Sequence, residues 1–258
     1  MSTSENIFFT RDRVLEELWQ TAPPATDFFD PAMVSGLPEA AQRYLLHALA
    51  PGAPLAHAVR LRMHGSLRLK GEWHPLEADQ VLRWDRGFVW RARVSMNGAP
   101  VTGFDRWVDG KGAMRWKMFG LFPIATAAGP DVARSAAGRF NIESIWMPAV
   151  LLGEGVRWTE HDRSHTDVVV RAHGEESHID LTIDDRGAVT AMKMPRWQTP
   201  EGDGSPHYED FGGLSDQERT FQGITIPTNL RVGWYFGTDR FEPEGEFCRL
   251  TIDEAEVR

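Results

Sequence analysis

The 258-residue sequence contains a single cysteine, Cys248. One cysteine excludes an internal disulfide framework and a zinc site built from thiolates, and it is typical of a protein from a reducing compartment. No apolar run approaches the roughly 20 residues that a membrane-spanning helix needs. The first 20 residues also lack the basic and apolar regions of a signal peptide. These absences predict a cytoplasmic protein without integral membrane insertion.

Basic residues are also scarce, with 28 Lys and Arg against 37 Asp and Glu and a formal net charge of −9. Binding to nucleic acid or to an anionic membrane draws on clustered cations, so the overall charge argues against both partners. Hydrophobic residues make up 41% of the chain, which is enough to bury a core. We therefore expect an ordinary soluble globular protein.

The N-terminal region has helical periodicity. In residues 10–22, apolar side chains recur at helical spacing behind Thr10, a typical N-cap, and two prolines follow. A second helix is predicted over residues 37–49, where Pro38 suits the first turn. Residues 1–52 are therefore predicted to form an N-terminal helical cap.

From residue 55 onward the period of the apolar residues changes to two. In AVRLRMHGSLRLK, residues 58–70, apolar side chains alternate with polar ones, as in a strand with one dry face. Similar alternation recurs in both halves of the remaining chain. A helical insert is predicted at about 129–152, because Pro130 fits a first helical turn and glycines follow the segment. The Gly-, Pro- and acid-rich segment 195–213 is predicted to be a long loop.

This order of elements predicts a mainly β (α+β) fold. We expect a single, strongly curved antiparallel sheet of about 10–11 strands over residues 55–258, forming an incomplete β-barrel. The N-terminal helices and the insert are expected to plug its concave side. No composition shift marks a boundary, so a single domain over 1–258 is the simpler interpretation. Two similar β-halves on either side of the insert are the alternative.

Two carboxylates are candidates for acid or base chemistry. Glu143 lies one helical turn after Arg139 and can pair with it. Asp105 shares a strand face with Trp107 and is predicted to point inward. If both carboxylates reach one apolar cavity, they can divide acid and base roles. The structural alternatives are an ion pair that fixes the insert on the sheet, and a salt bridge from Asp105 to an arginine of a neighbouring strand.

Ten tryptophans and nine methionines stand out in the composition. Indole rings and flexible thioethers suit an adaptable apolar pocket. Core packing is the commoner use of tryptophan, and it explains the methionines about equally well. The residues predicted to contact a ligand are Arg139, Trp146, Trp90, Trp107, Trp116, Met114, Met118 and Trp234. We predict no metal site and no cofactor, because the histidines are scattered and no Gly-rich phosphate loop is present.

One pattern extends along most of the chain: an Asp before a Gly-x-Gly turn, a Gly-Pro pair, an Arg followed at four residues by Glu and at seven by Trp, and then Pro. It is formed by Asp105, Gly110, Gly112, Gly129, Pro130, Arg139, Glu143, Trp146 and Pro148, with Gly223, Ile226, Pro227 and Trp234 near the C-terminus. Because of this pattern, the sequence of residues 30–258 resembles that of a bacterial family known only as a domain of unknown function. Its members resemble the fold of the outer-membrane lipoprotein localisation factor, a lipoprotein carrier whose incomplete β-barrel holds acyl chains beneath helices.

The resemblance implies a hydrophobic cavity but names no ligand. The sequence departs from the carrier pattern in lacking a signal peptide and in a longer segment at 197–220. An altered loop at the mouth of a barrel is compatible with a changed ligand.

Two functions follow as hypotheses. The first is binding of a hydrophobic or amphipathic small molecule in a cavity lined by Trp and Met, with Arg139, Glu143 or Asp105 orienting it. The second is a cofactor-independent cyclase, isomerase, lyase or hydrolase that acts on a small apolar metabolite, with Glu143 or Asp105 as general acid or base. Binding is favoured, because no residue spacing demands a catalytic arrangement. The sequence leaves the ligand and the oligomeric state open.

Overall fold

Thirteen strands form one antiparallel sheet in the computed structural model, which describes residues 12–172, 174–199 and 204–258. The strands are β1 (Ala58–Leu69), β2 (Glu72–Arg83), β3 (Gly87–Met96), β4 (Ala99–Val108), β5 (Lys111–Met118), β6 (Phe122–Ala128), β7 (Arg157–Glu160), β8 (His165–Ala172), β9 (Glu175–Ile183), β10 (Val189–Gln198), β11 (His207–Phe221), β12 (Ile224–Trp234) and β13 (Glu246–Val257). The helices are α1 (Arg13–Gln20), α2 (Glu39–Ala48) and α3 (Pro130–Ile142).

The sheet consists of two meanders that join in its middle. Its strand order is β6-β5-β4-β3-β2-β1-β13-β12-β11-β10-β9-β8-β7, so β1 and β13 are neighbours at the centre. Their register pairs Val59 with Val257 and Leu67 with Cys248. Strands β6 and β7 are the two edges, and the insert that contains α3 connects them.

Helix α3 identifies the concave face. It contacts β3 to β6 near one edge of the sheet and β8 to β10 near the other, which requires the sheet to curve around the helix. Phe140 of α3 is fully buried in a core cluster that also contains Leu61, Phe88 and Ile252 of the sheet. The predicted class, a mainly β fold with a curved and unclosed antiparallel sheet, is confirmed. The sheet has thirteen strands rather than the expected 10–11.

The N-terminal helices lie on opposite faces of the sheet. Tyr44 of α2 belongs to the core on the concave side, as expected. Leu18 and Trp19 of α1 instead pack with Val81 and Val89 in a separate cluster. The residues next to Val81 and Val89 in their strands face the main core, so α1 lies on the convex side. This placement corrects the expectation that both helices plug the concave side. Strands β2 and β3 are locally apolar on both faces, which gives α1 a docking surface there.

Helix α1 begins at a capping side chain. The Asp12 carboxylate accepts hydrogen bonds from the backbone N–H groups of Val14 and Leu15 and caps α1. Thr10, the cap expected from the sequence, lies outside the described residues. After α3 the insert continues as two short 3₁₀ turns, Glu143–Trp146 and Pro148–Leu152, close to the expected bounds of 129–152. Within the described part of the chain, none of the helices combines the length and hydrophobicity needed to cross a membrane.

The segment predicted as a loop at 195–213 is mostly strand. Strands β10 and β11 pair up to Gln198 and His207, and residues 200–203 between them lie outside the described part. The composition of this segment was misleading, because its glycines allow neighbouring groups to pack closely on the strand and do not mark a loop. A Cβ atom on Gly212 would collide with the backbone oxygen of Met192 and with the Phe236 ring.

Candidate functional site

Arg139 is the centre of a polar network on the concave face. Its Nε donates a hydrogen bond to Glu143 Oε1 at 2.7 Å, and its Nη1 donates to Asp105 Oδ2, also at 2.7 Å. Its Nη2 lies 3.4 Å from Gln80 Oε1, and the Gln80 amide donates to Glu143 Oε2 at 2.5 Å. The structure thus brings together the Arg139, Glu143 and Asp105 predicted from the sequence, and adds Gln80.

Of the two structural alternatives, the network contains the Arg139–Glu143 ion pair as predicted and the Asp105 salt bridge with a different partner. Glu143 pairs with Arg139 across one helical turn, as its spacing predicted. Asp105 points inward, but its partner is Arg139 of the helical insert rather than an arginine of a neighbouring strand. The alternation of side chains along β4 located the face of Asp105 correctly. It carried no information about which distant element would cover that face.

The electrostatic balance keeps the network ionic. Burial by itself lowers the pKa of Arg139, but the Glu143 and Asp105 charges and their hydrogen bonds outweigh it and hold that pKa above its ordinary value. The guanidinium also lies over the rings of Phe88 and Trp90, at 4.8 and 5.2 Å from their centroids. Arg139 is therefore a permanent cation that joins α3 to the sheet.

The chemistry open to Glu143 is narrowed by its partners. The residue is only 8% exposed, and its two oxygens accept hydrogen bonds from Arg139 and Gln80. A general base needs an oxygen that is free to meet the proton it removes. The arrangement favours a role for Glu143 in anchoring the insert. The catalytic roles of Glu143 and Asp105, and the apolar cavity expected beside them, remain predictions.

A second arginine lies near this network, and no ion-pair partner for it is present among the described residues. Arg196 of β10 is 9% exposed, and its Nε donates to the backbone oxygen of Ser135 at 2.9 Å. Among the described residues, no carboxylate forms a salt bridge with it, and its two terminal nitrogens have no hydrogen-bond acceptor. Its guanidinium lies over Phe211 and Trp234, at 4.5 and 5.1 Å from the ring centroids.

Burial dominates the electrostatics of Arg196. Loss of hydration lowers its pKa to about 10, and the positive charge of Arg139 adds to that effect. Asp105 and Glu143 act in the opposite direction from a distance. The charges of Arg139, Arg196, Glu143 and Asp105 sum to zero. Within the described ranges, however, no carboxylate directly offsets the desolvation of Arg196.

The aromatic and methionine residues predicted to contact a ligand lie on the concave side in two groups. Three are buried in the core: Trp90, Trp107 and Trp146. Four are half-buried: Met114, Trp116, Met118 and Trp234. The indole of Trp146 donates to the backbone oxygen of Pro227 at 3.1 Å, which gives it a structural contact. The indole N–H of Trp90 is buried and has no acceptor among the described residues. A role in ligand contact remains a prediction for all seven.

Sequence reasoning missed two residues of the site. Gln80 is fully buried in β2. The pattern of that segment is typical of an ordinary apolar strand and gives no sign of a functional residue. Arg196 had a usable signal, because Met192, Met194 and Arg196 alternate along β10 and so share one face. An arginine in an otherwise apolar row is a candidate for a functional cation. The incorrect loop prediction for 195–213 hid this pattern.

A groove of about 450 Å³ lies on the opposite face of the sheet. It is lined by His64, Gly65, Asn229, Arg231, Arg249, Leu250 and Thr251. Arg231 and Arg249 both donate to the buried carboxylate of Glu246, and Arg231 also pairs with Glu242 at 2.9 Å. His64 pairs with Asp253 at 2.8 Å. Its cations are already neutralised, so this groove is a weaker ligand site than the concave face.

Cys248 contributes no reactive thiolate. Its side chain is buried on the concave side, and burial raises the pKa of the thiol to about 12.

The two histidines that share a His-x3-His spacing are each paired with a carboxylate. His161 lies 2.8 Å from Asp167, and His165 lies 2.9 Å from Asp162.

Comparison with protein families identifies the family of this chain. Residues 27–244 match the model of DUF6544, a family of unknown function, and the protein belongs to that family. The family resemblance inferred from the sequence pattern is confirmed. No curated protein matches the sequence.

Several solved structures are similar to the chain. A LolA superfamily protein from Nitrosomonas europaea matches with 6% identity and a TM-score of 0.42, covering 85% of this chain and 92% of that one. A putative outer membrane lipoprotein-sorting protein domain from Vibrio parahaemolyticus matches with 9% identity and a TM-score of 0.35, covering 85% and 91%. A DUF1329 family protein from Desulfovibrio piger matches with 10% identity and a TM-score of 0.34, covering 78% and 86%.

Proposed function

We propose that this member of the DUF6544 family binds an amphipathic small molecule on the concave face of its sheet, with Arg196 anchoring an anionic group of the ligand. The observation that carries the proposal is the state of Arg196. It is a nearly buried cation that lies over two aromatic rings, and its terminal nitrogens have no acceptor among the described residues. A carboxylate, sulfate or phosphate group would supply the two parallel hydrogen bonds that a guanidinium favours.

Energetics support a ligand at this position. A buried charge without a direct partner is costly, and contact with aromatic rings offsets only part of that cost. An anionic ligand would remove the desolvation penalty of Arg196 when it binds. This one polar contact would therefore contribute more to the affinity than a contact with an exposed arginine. The neighbouring Arg139 is already neutralised by Glu143 and Asp105, so of these two arginines Arg196 is the one available to a ligand.

An apolar surface continues from Arg196 along one end of the sheet. Because neighbouring strands are antiparallel, the C-terminal ends of β1, β3, β5, β10 and β12 meet the N-terminal end of β13 there. Half-buried apolar side chains border this end and pack on the core. This apolar rim consists of Leu67, Leu69, Met96, Met118, Val232, Trp234 and Phe247. Partly exposed apolar side chains beside a buried cation suit a ligand with a hydrocarbon part and one charged end.

The enzyme hypothesis is less well supported. Its two carboxylates are both held by Arg139, and Glu143 is held by Gln80 as well. Such a network suits positioning better than proton transfer. Catalysis on a small apolar metabolite, with Glu143 or Asp105 as acid or base, stays a separate prediction. Turnover by the wild-type protein that Glu143→Gln abolishes, with the fold and ligand retention intact, would support it.

The test of the binding proposal uses two probes with the same hydrocarbon chain, a long-chain fatty acid and the corresponding alcohol. Binding is measured by quenching of tryptophan fluorescence, since Trp234 lies beside Arg196. We expect the wild-type protein to bind the acid more tightly than the alcohol. Arg196→Met should weaken acid binding by about 10- to 100-fold, the value of a hydrogen bond to a charged group, and leave the alcohol unaffected.

The matched control is Arg219→Met. Arg219 also lies over a phenylalanine ring, at 4.9 Å from the Phe221 centroid, but it is exposed. The control variant should bind both probes like the wild type. Equal affinity for acid and alcohol, or an equal loss in both arginine variants, would refute the role of Arg196. Failure of the protein to bind either probe would refute the proposed function for this ligand class.

A further inference from the structure

The hairpin that joins β5 and β6 exposes a contiguous group of large apolar side chains. Phe119, Leu121, Phe122 and Ile124 are 55%, 73%, 64% and 49% exposed. The other large apolar side chains that are exposed within the described ranges are scattered along the chain. Single exposed apolar residues are ordinary, whereas a contiguous group marks an interaction surface.

The same hairpin has a local charge opposite to that of the whole protein. Residues 110–130 contain Lys111, Arg115 and Lys117 and no Asp or Glu, although the net charge of the chain is −9. In the part of the chain that the structure describes, none of these three cations forms a salt bridge. One hairpin therefore carries both an apolar group and cations that have no salt bridge to any described residue.

The turn of this hairpin holds a phenylalanine in an unfavourable conformation. Phe119 has φ = 52° and is followed by Gly120 with φ = 70°, the left-handed region that bulky residues avoid. Four other hairpin turns have the same X-Gly pattern with positive φ at both residues. Their X residues are Lys70, Asn97, Asp109 and Gln222, all polar. Packing does not explain the phenylalanine, because it is mostly exposed.

We infer that the β5–β6 hairpin docks the protein on an anionic lipid surface. In this arrangement the apolar side chains enter the interface between headgroups and acyl chains, while Arg115 and Lys117 contact anionic headgroups. The charge of the whole chain disfavours such a partner, but contact is made by the hairpin, and screening limits the influence of distant acidic groups. The hairpin turn lies at the same end of the sheet as the apolar rim, so docking places the rim beside the lipid.

A second copy of the chain is the other candidate occupant of this surface. Strand β6 is an edge of the sheet and offers unpaired backbone groups. Pro123 lies in that strand and lacks the N–H that an added strand would use. Pairing two copies edge to edge would also bring their like-charged hairpins together. Lipid docking is therefore favoured, and it does not depend on the ligand proposed above.

The experiment is co-sedimentation of the whole protein with phosphatidylcholine vesicles, with and without phosphatidylglycerol, at low and high salt. We expect binding to the vesicles that contain phosphatidylglycerol, weakened by salt. Phe119→Asn combined with Leu121→Ser should reduce it at least about tenfold, because less apolar area enters the lipid. Lys117→Glu should reduce it by a similar factor. The matched controls are Leu46→Ser with Leu214→Ser, which removes exposed leucines elsewhere, and Arg13→Glu, which makes the same charge change on α1.

Phe119→Asn as a single change separates docking from folding. Asparagine tolerates positive φ better than phenylalanine, so this variant should melt at the same or a higher temperature than the wild type while binding vesicles more weakly. Absence of wild-type binding to both vesicle types would overturn the inference, as would equal loss in hairpin and control variants. A dimer, detected by light scattering and dissociated by the hairpin changes without any vesicle binding, would assign the surface to a second copy instead.

Discussion

Arg139 and Asp105 lie 34 residues apart in the chain and form a hydrogen-bonded ion pair of 2.7 Å. The first residue belongs to α3 and the second to β4, so the pair ties the helical insert to the sheet that curves around it. Glu143 and Gln80 complete the network on the same face. Substitutions in this network can therefore measure how much the connection contributes to the free energy of unfolding.

Replacing Arg139 with methionine should destabilise the protein by about 3 kcal/mol, because two carboxylates are left without their cation. The triple change Arg139→Met, Glu143→Gln and Asp105→Asn should recover a large part of that loss, since the two carboxylates that lost their cation are then neutral. Urea unfolding monitored by circular dichroism measures both. Arg134→Met on the same helix, where the arginine is more exposed, should cost at most about 1 kcal/mol. A triple variant no more stable than the single one would show that charge pairing is not the cause.

Glu246 gives a prediction for acid pH. Burial raises its pKa, but the hydrogen bonds and charges of Arg231 and Arg249 prevail and lower that pKa to about 2. A folded-state pKa below the unfolded value contributes stability that is present above the unfolded pKa and is lost as the pH falls. Wild-type stability should therefore decline relative to that of Glu246→Gln between about pH 4.5 and pH 2. Parallel stability curves for the two proteins over this range would contradict the assignment.

Trp146→Phe tests the hydrogen bond that the indole donates to Pro227. The smaller phenyl ring keeps an aromatic contact, but the donor and part of the buried volume are lost, so we expect a destabilisation of at least about 1–2 kcal/mol. Trp158→Phe is the matched control, because its indole donates to Leu151 from a half-buried position. Its effect should be smaller in the same denaturant titration. A larger effect at Trp158 would contradict the importance of burial at Trp146.

Leu18→Ala separates stability from ligand binding. Leu18 is fully buried beneath α1 on the convex side, and its truncation should cost about 2–4 kcal/mol. The concave face is on the other side of the sheet, so the fatty-acid affinity of the folded variant should be unchanged. Fluorescence titration well below the melting temperature measures this. An altered affinity would mean that α1 and the concave face are coupled.

The main features of the fold were predictable from the sequence because they depend on local periodicity. Alternation in 58–70 identified β1 and the face it buries, and Pro130 with the later glycines bounded the insert. Side-chain spacing also identified the Arg139–Glu143 pair. Each of these inferences needs only neighbours within one helical turn or one strand.

The features that were missed depend on distant parts of the chain. Gln80 reaches Glu143 across 63 residues, and no local spacing reveals such a contact. The placement of α1 on the convex side depends on apolar residues of β2 and β3. Polar side chains and glycines made 195–213 look like a loop, although outward-facing polar residues are equally expected in a strand with one wet face. Arg196 was lost with that error.

The central pairing of β1 with β13 has a consequence for biosynthesis. During translation the first meander can assemble while β1 still has an unpaired inner edge, and the second meander is synthesised before β13 completes the sheet. Contacts between strands so distant in sequence slow folding. Until β13 is synthesised, the unpaired edge of β1 can pair with the wrong strand or with another chain. We therefore expect refolding to be slow and sensitive to protein concentration. A nascent chain that ends before β13 should be a preferred client of chaperones.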